Sequence, residues 1–250
     1  MTGHVLILGA TSGIARAIAS RLAAQRQPGH KLILAGRDMD EVNRIATDLQ
    51  VRHGAEVSQV EFDALAFDRH AAFFAECVDQ SDDNLTGVVL CYGTMADQDQ
   101  GEYNFEQIHR MIEVNYSSAV SILNLAAQYF EQKRQGFICA LSSVAADRGR
   151  PSNYLYGSTK AALSTYLEGL RARLAKAGVH VVTVKPGPVD TAMTWGLAVA
   201  GPLADPDRVA ADVCRAIRKR KNVVYSPWFW RPIMAAIRMI PQCIFKRMKL

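Results

Sequence analysis

The chain has little that would tie it to an oxidising compartment or a membrane span. Its 250 residues include five cysteines, Cys77, Cys91, Cys139, Cys214 and Cys243, with no Cys-x-x-Cys pair. Three of the five fall in or beside apolar runs, where a thiol packs as a small hydrophobe. A reducing, cytoplasmic setting with no metal site is therefore expected. The first apolar run, residues 5–8, is too short for a leader peptide, and no stretch reaches the length of a bilayer span. Internal repeats and a linker are also missing. The last absence is of one charge sign: residues 213–250 contain no acid but ten of the 29 bases, so residues 1–212 carry a net charge of −5 while the whole chain carries +5. An acidic body and a basic tail bear on partners and say nothing of the fold.

What is present alternates. Short apolar runs at residues 5–8, 31–35, 56–62, 87–91, 137–141, 179–184 and 223–225 read as strands. Helical patterns at about 14–25, 39–53, 69–80, 105–130, 154–177 and 207–219 separate them. Fully apolar strands alternating with helices predict an α/β fold with a doubly wound parallel sheet, buried on both faces. The first strand runs into Gly9-Ala10-Thr11-Ser12-Gly13-Ile14 and then a helix. That order aims backbone N–H groups and a helix N-terminus at a phosphate, which makes Gly9, Thr11, Ser12, Gly13 and Ile14 candidates for a dinucleotide pyrophosphate. The second strand ends at Gly36-Arg37-Asp38. An acid at that strand end would bind the ribose hydroxyls of NAD, whereas Arg37 is placed for the 2′-phosphate of NADP. NADP is expected over NAD, with Asp38 favouring NAD if the turn shifts.

The fifth strand delivers Ser142 and Ser143, and the helix after it carries Tyr154, Tyr156 and Lys160. Tyr156 and Lys160 are four apart and project from one helical face. A hydroxyl, a phenol and an ammonium at a strand end suit the movement of a proton onto a carbonyl oxygen. An ammonium one turn from a phenol, together with the positive nicotinamide ring of an oxidised cofactor, is also expected to favour the phenolate and lower the tyrosine pKa.

With Gly9-x-x-x-Gly13, Asn115, Ser143, Tyr156-x-x-x-Lys160 and Pro186-Gly187-x-x-x-Thr191 in this order, residues 4 to about 225 resemble the short-chain dehydrogenase/reductase family. The spacing of thirteen between Ser143 and Tyr156 is the family's, and it selects these two over Ser142 and Tyr154. The resemblance implies a doubly wound sheet of about seven strands in homodimers or homotetramers. It also implies Tyr156 as proton donor, Ser143 as a hydrogen-bond donor to the substrate oxygen, and Lys160 on the nicotinamide ribose. Asn115 would organise a relay water, Asp63 and Ala64 would meet the adenine, and Pro186, Val189 and Thr191 would lie on the carboxamide and pyrophosphate side. Two departures stand out. Ala15 replaces the family's third glycine, and Leu90-Cys91-Tyr92-Gly93 replaces Asn-Asn-Ala-Gly, which puts Tyr92 and Gly93 in the ribose pocket.

A narrower likeness rests on Phe62-Asp63-Ala64-Leu65, Asn115-Tyr116, Asn153-Tyr154-Leu155-Tyr156-Gly157-Ser158-Thr159-Lys160-Ala161 and Ile240-Pro241-Gln242-Cys243-Ile244-Phe245-Lys246. These stretches look like the decaprenylphosphoryl-2-keto-pentose reductases, membrane-associated enzymes that reduce a keto sugar on a polyprenyl phosphate. The basic, tryptophan-rich segment 226–250 is read as a tail lying in a membrane interface on the cytoplasmic side, and its aliphatic content favours lipid over nucleic acid. Arg148 and Arg150, between the serine and the tyrosine, are candidate donors to a substrate phosphate. Residues 193–203, with Trp195, are candidates for a flap over the site. Other readings of the same residues are a soluble reductase of small ketones or 3-oxoacyl thioesters whose tail is an oligomer contact, and an NADP-sensing regulator without catalysis.

Overall fold

A computed structural model describes residues 3–25, 31–196 and 202–248. The apolar runs form seven parallel strands with helices between them. In chain order they are β1 (His4–Leu8), α1 (Gly13–Ala23), β2 (Lys31–Gly36), α2 (Met39–His53), β3 (Glu56–Glu61), α3 (His70–Gln80) and β4 (Leu85–Leu90). The second half adds α4 (Gln98–Gly101), α5 (Phe105–Ile112), α6 (Ser118–Lys133), β5 (Phe137–Leu141), α7 (Tyr154–Leu174), β6 (His180–Pro186), α8 (Pro206–Arg218), β7 (Val223–Ser226), α9 (Trp230–Met239) and α10 (Gln242–Phe245). The strand order is β3-β2-β1-β4-β5-β6-β7, the doubly wound arrangement expected from the alternation.

Period-two burial explains why the central strands read as continuous apolar runs. Val5 and Ile7 of β1 face a core shared with α1, α2 and α8, while Leu6 and Leu8 face one shared with α3, α6 and α7. The order reverses between β1 and β4, and a crevice opens beyond the carboxyl ends of these strands, where such sheets bind ligands.

Two segments differ from the sequence reading. The helix expected over 105–130 is broken by a π-helical turn at Glu113–Ser117, closed by the Ser118 N–H donating to the Glu113 carbonyl. Wide turns of this kind put an extra residue on the inner face and recur at functional sites; here Asn115 is turned inward and buried. The segment expected as a tail is instead seated on the body. Met234 has no exposed surface, Phe245 is buried, and the Trp230 indole occupies the space over Gly187 that a side chain there would need. Among the described residues no helix is long and apolar enough to cross a membrane.

Candidate active site

Each chemically loaded side chain reaches the crevice from the end of a strand or the first turns of a helix. Ser142 and Ser143 follow β5 and point different ways. The Ser142 hydroxyl donates to the Lys160 carbonyl at 3.0 Å and lies 2.7 Å from the Ser164 hydroxyl, which pins β5 to α7. Ser143 caps a 3-10 turn at Val144–Asp147, its Oγ accepting the Ala145 N–H at 3.1 Å, and it hydrogen-bonds the Tyr156 phenol. The two tyrosines separate as clearly. Tyr154 is turned out to the Glu102 carboxylate at 3.1 Å, and Tyr156 is turned in. The spacing argument for Ser143 and Tyr156 therefore has a local cause in these side-chain partners.

Lys160 is buried, its Nζ donating to the Leu141 carbonyl at 3.1 Å and lying 5.8 Å from the Tyr156 ring centre. Asn115 is gripped at both ends of its amide. Oδ1 accepts the Thr94 N–H at 2.7 Å, and Nδ2 donates to the Thr94 carbonyl at 2.7 Å and to the Thr159 hydroxyl at 3.0 Å. A β-carbon added at Gly93 would lie 3.1 Å from both Asn115 Oδ1 and Lys160 Nζ. Glycine at this position keeps the backbone against those two groups. Thr94 and Thr159, which no motif marked, are what hold the asparagine.

Burial sets the protonation of the pair, and it does so against the expectation that Lys160 lowers the tyrosine. Burial pushes Tyr156 up to about 12 despite the Ser143 hydrogen bond. It pushes Lys160 down to about 8. Each shift follows from the cost of a charge out of water. Tyr156 therefore keeps its proton at neutral pH, the state needed to give a proton to a substrate oxygen. Cys91 is also buried and its thiol is pushed up to about 12, so it is packing and carries no reactivity.

The second group of expected residues lines the same crevice on the β1 side. Gly9 has φ +76°, and a β-carbon there would fall 2.8 Å from the Tyr92 backbone nitrogen. Ser12 caps α1, accepting the Ala15 N–H, with Thr11, Gly13 and Ile14 around the helix start. A β-carbon on Gly13 would lie 3.3 Å from the Thr191 methyl, so the loop after β6 closes on the glycine turn. Within that loop the Thr194 hydroxyl donates to the carbonyls of Val189 and Thr191, a latch no motif had marked. Tyr92 turns its ring onto Phe62, and its hydroxyl lies 2.5 Å from that of Ser118. Asp63 accepts the Leu65 N–H at 3.0 Å, which sets the turn carrying Ala64. Arg37 is exposed at the end of β2, whereas the Asp38 carboxylate accepts the Glu41 N–H at 3.0 Å as the cap of α2. A glycine-bearing turn, a helix N-terminus and an exposed guanidinium together fit a phosphorylated dinucleotide.

The expected substrate residues divide. Arg148 does not present a free guanidinium to a phosphate. Its N–H groups donate to the carbonyls of Ile237 and Arg238 and to Gln242 Oε1, and its centre lies 4.0 Å over the Phe245 ring. Arg150 is half-buried with its Nε unpartnered. Trp195 is 89% exposed, and residues 197–201 of the expected flap lie outside the described residues.

The model of the short chain dehydrogenase family matches residues 3–199. The chain belongs to that family. As a short-chain dehydrogenase it is an NAD(P)-dependent oxidoreductase acting between alcohol and carbonyl groups. It is 34% identical over 244 residues to an uncharacterized oxidoreductase of Mycobacterium tuberculosis, covering 98% of this chain and 96% of the relative. Among solved structures, a short-chain dehydrogenase from Sphingobium yanoikuyae in complex with NADPH superposes with a TM-score of 0.81 at 25% identity, covering 96% of this chain and 97% of that one. A 3-oxoacyl-[acyl-carrier protein] reductase from Brucella melitensis in complex with NAD shares the fold at 23% identity and a TM-score of 0.78, covering 90% and 96%. Both cofactors thus occur on this fold.

The lowered Lys160 pKa has a testable consequence. A base whose folded pKa lies below its unfolded value destabilises the fold wherever it is charged. The penalty is full below about pH 8 and fades as pH rises towards 10.5. Lys160→Met is expected to raise unfolding stability at pH 7 by about 1–3 kcal/mol, with the gain shrinking at pH 10. Urea titrations at both pH values measure it, and a loss at pH 7 would mean that the bond to Leu141 outweighs burial.

Proposed function

We propose that this short-chain dehydrogenase is an NADPH-dependent reductase of a keto group on a phosphate-bearing lipid, of the polyprenyl-phosphate keto-sugar type, presented at the cytoplasmic membrane surface. The observation that carries the lipid half is the outer face of α9 and α10. Trp228, Phe229, Ile233, Met239 and Ile244 are exposed there beside exposed Arg231, Arg238, Lys246 and Arg247. Apolar rings, aliphatic side chains and cations of one sign are what an anionic bilayer interface selects. The inner face of the same segment rests on the loop that follows Ser143, which supports substrate entry from the bilayer side.

The site residues take these roles in the proposal. Gly9, Thr11, Ser12, Gly13 and Ile14 hold the pyrophosphate, Arg37 the 2′-phosphate, and Asp63 and Ala64 the adenine. Tyr92 and Gly93 line the ribose pocket, with Pro186, Val189 and Thr191 on the carboxamide side. When bound, NADPH supplies the hydride. Tyr156 gives its proton to the substrate oxygen while Ser143 donates a hydrogen bond to the same oxygen. Lys160 holds the nicotinamide ribose and stabilises the phenolate that proton transfer leaves behind. Asn115, fixed by Thr94 and Thr159, orders the relay that returns the proton. Arg150 is the donor for a substrate phosphate, since its buried Nε has no protein acceptor, and Trp195 covers the lipid. The working unit is a homodimer or homotetramer.

Three measurements test this reading. Against a panel of carbonyl compounds that includes polyprenyl-phosphate keto sugars, Tyr156→Phe is expected to lose about 10²–10⁴-fold in kcat while still binding NADPH; retained turnover would remove Tyr156 from catalysis. Quenching of protein fluorescence should favour NADPH over NADH, and Arg37→Ala should weaken NADPH binding by about tenfold or more and leave NADH unchanged. The opposite preference would assign the cofactor to NAD. Vesicles containing phosphatidylglycerol should sediment the wild type at low salt and not a Trp228→Ser/Phe229→Ser/Ile233→Ser variant. Equal sedimentation of the two would remove this face from the membrane.

A further inference from the structure

Arg148 lies five residues after the catalytic serine, yet its partners are about 90 residues downstream. A helix leaves its last carbonyls short of intrahelical donors, and at the end of α9 Arg148 donates to the Arg238 carbonyl at 2.9 Å and adds a second donor, at 3.1 Å, to the Ile237 carbonyl that accepts the Ile240 N–H. Its other terminal nitrogen reaches Gln242 Oε1 at 3.0 Å, and the face of the guanidinium covers the buried Phe245 ring. One side chain thus caps α9, ties it to α10 and stacks on the latter. Only a planar, multi-donor cation does all three.

The other end of this connection is the turn that sets the active-site geometry. Residues 144–147 run directly from Ser143 to Arg148. Asp147 in that turn is ion-paired with Lys185 at the end of β6 and accepts the Tyr225 hydroxyl at 2.7 Å from β7. On its inner side the Ala145 carbonyl would lie 2.8 Å from a β-carbon on Gly157, so the turn presses on the residue next to Tyr156. A shift of the turn therefore moves Ser143 and Tyr156 relative to one another. Asp147 fixes the turn to the sheet, and Arg148 fixes it to the C-terminal helices.

We infer that Arg148 is a positioning residue: by clasping α9 and α10 it holds the 144–147 turn, and through it the Ser143–Tyr156 hydrogen bond, in the reactive arrangement. The inference rests on the catalytic roles given to Ser143 and Tyr156 and is independent of the lipid substrate. It differs from direct substrate contact in one respect that can be measured. A residue acting through Ser143 loses its effect once Ser143 is gone, whereas a residue touching substrate does not.

The test uses the full chain with NADPH and 9,10-phenanthrenequinone, an uncharged diketone with no phosphate for Arg148 to hold. Arg148→Ala is expected to lower kcat about 10- to 100-fold with NADPH affinity unchanged. Arg148→Lys should not restore it, and Gln242→Ala, which removes one acceptor at the surface, should give a smaller loss of the same kind. In a Ser143→Ala background Arg148→Ala should cost nothing further. Losses that multiply, or full turnover of the diketone by Arg148→Ala, would overturn the inference. Tyr156→Phe run alongside separates this outcome from failure of the catalytic assignment itself. Hydrogen exchange gives a readout that needs no turnover. The Ala145 and Ala146 amides, bonded to Ser143 Oγ and to the Ser143 carbonyl, should exchange faster in Arg148→Ala while β4 and β5 stay protected, and unchanged exchange would refute the clasp.

Discussion

Lys160 places an ammonium where water does not reach, with the Leu141 carbonyl as its hydrogen-bond acceptor. Holding a cation there is unfavourable unless the surroundings are fixed well enough to keep that acceptor in place. Much of the neighbouring architecture meets this need. Ser142 and Ser164 lock β5 to α7 around the Lys160 carbonyl, Gly93 brings the backbone close to the ammonium, and Asn115 closes the remaining side. The same dryness keeps Tyr156 protonated. The protonated Tyr156 phenol and the buried Lys160 ammonium are therefore two products of one excluded-water pocket at the ends of β4 and β5.

In the proposed function the choice of cofactor rests on a smaller contest at the end of β2. Arg37 and Asp38 are adjacent and favour opposite nucleotides. Helix capping separates them, because the carboxylate that would accept ribose hydroxyls is bonded to the Glu41 N–H, and the guanidinium is left exposed. A local backbone requirement of α2 thus decides which of the two side chains stays exposed. Solved structures sharing the fold hold NADPH in one case and NAD in another, so the fold alone does not select the nucleotide.

The sheet and the pairing of Tyr156 with Lys160 on one helical face were legible because their signals are local. Strands of the central sheet show as unbroken apolar runs, and Tyr156 and Lys160 as a one-turn spacing on a helix. What was not legible depends on contacts between distant segments. The π turn at Glu113–Ser117 follows from Asn115 being gripped by Thr94 and Thr159, and a wide turn has no periodicity of its own to betray it. Arg148 looked free because a basic residue in a polar loop looks the same whether it faces solvent or the end of a helix. The tail looked detached for a related reason. Its outward residues are apolar and basic, and the seating of Met234, Phe245 and Trp230 is visible only once the chain is folded. The burial that raises Tyr156 and lowers Lys160 was not legible either, because spacing shows a nearby charge and not the loss of water around it.

The link between Arg148 and the carbonyls of Ile237 and Arg238 also orders events during synthesis. The ribosome delivers β1 through α7 first, and that portion contains the serine, the tyrosine and the lysine. The acceptors for Arg148 emerge only after roughly 90 further residues. Until then the 144–147 turn rests on α7 without its fastening to α9 and α10, and its anchors on the sheet, Lys185 and Tyr225, are themselves among the later residues. A nascent or truncated chain can thus carry Ser143, Tyr156 and Lys160 while the turn between the first two remains unfastened.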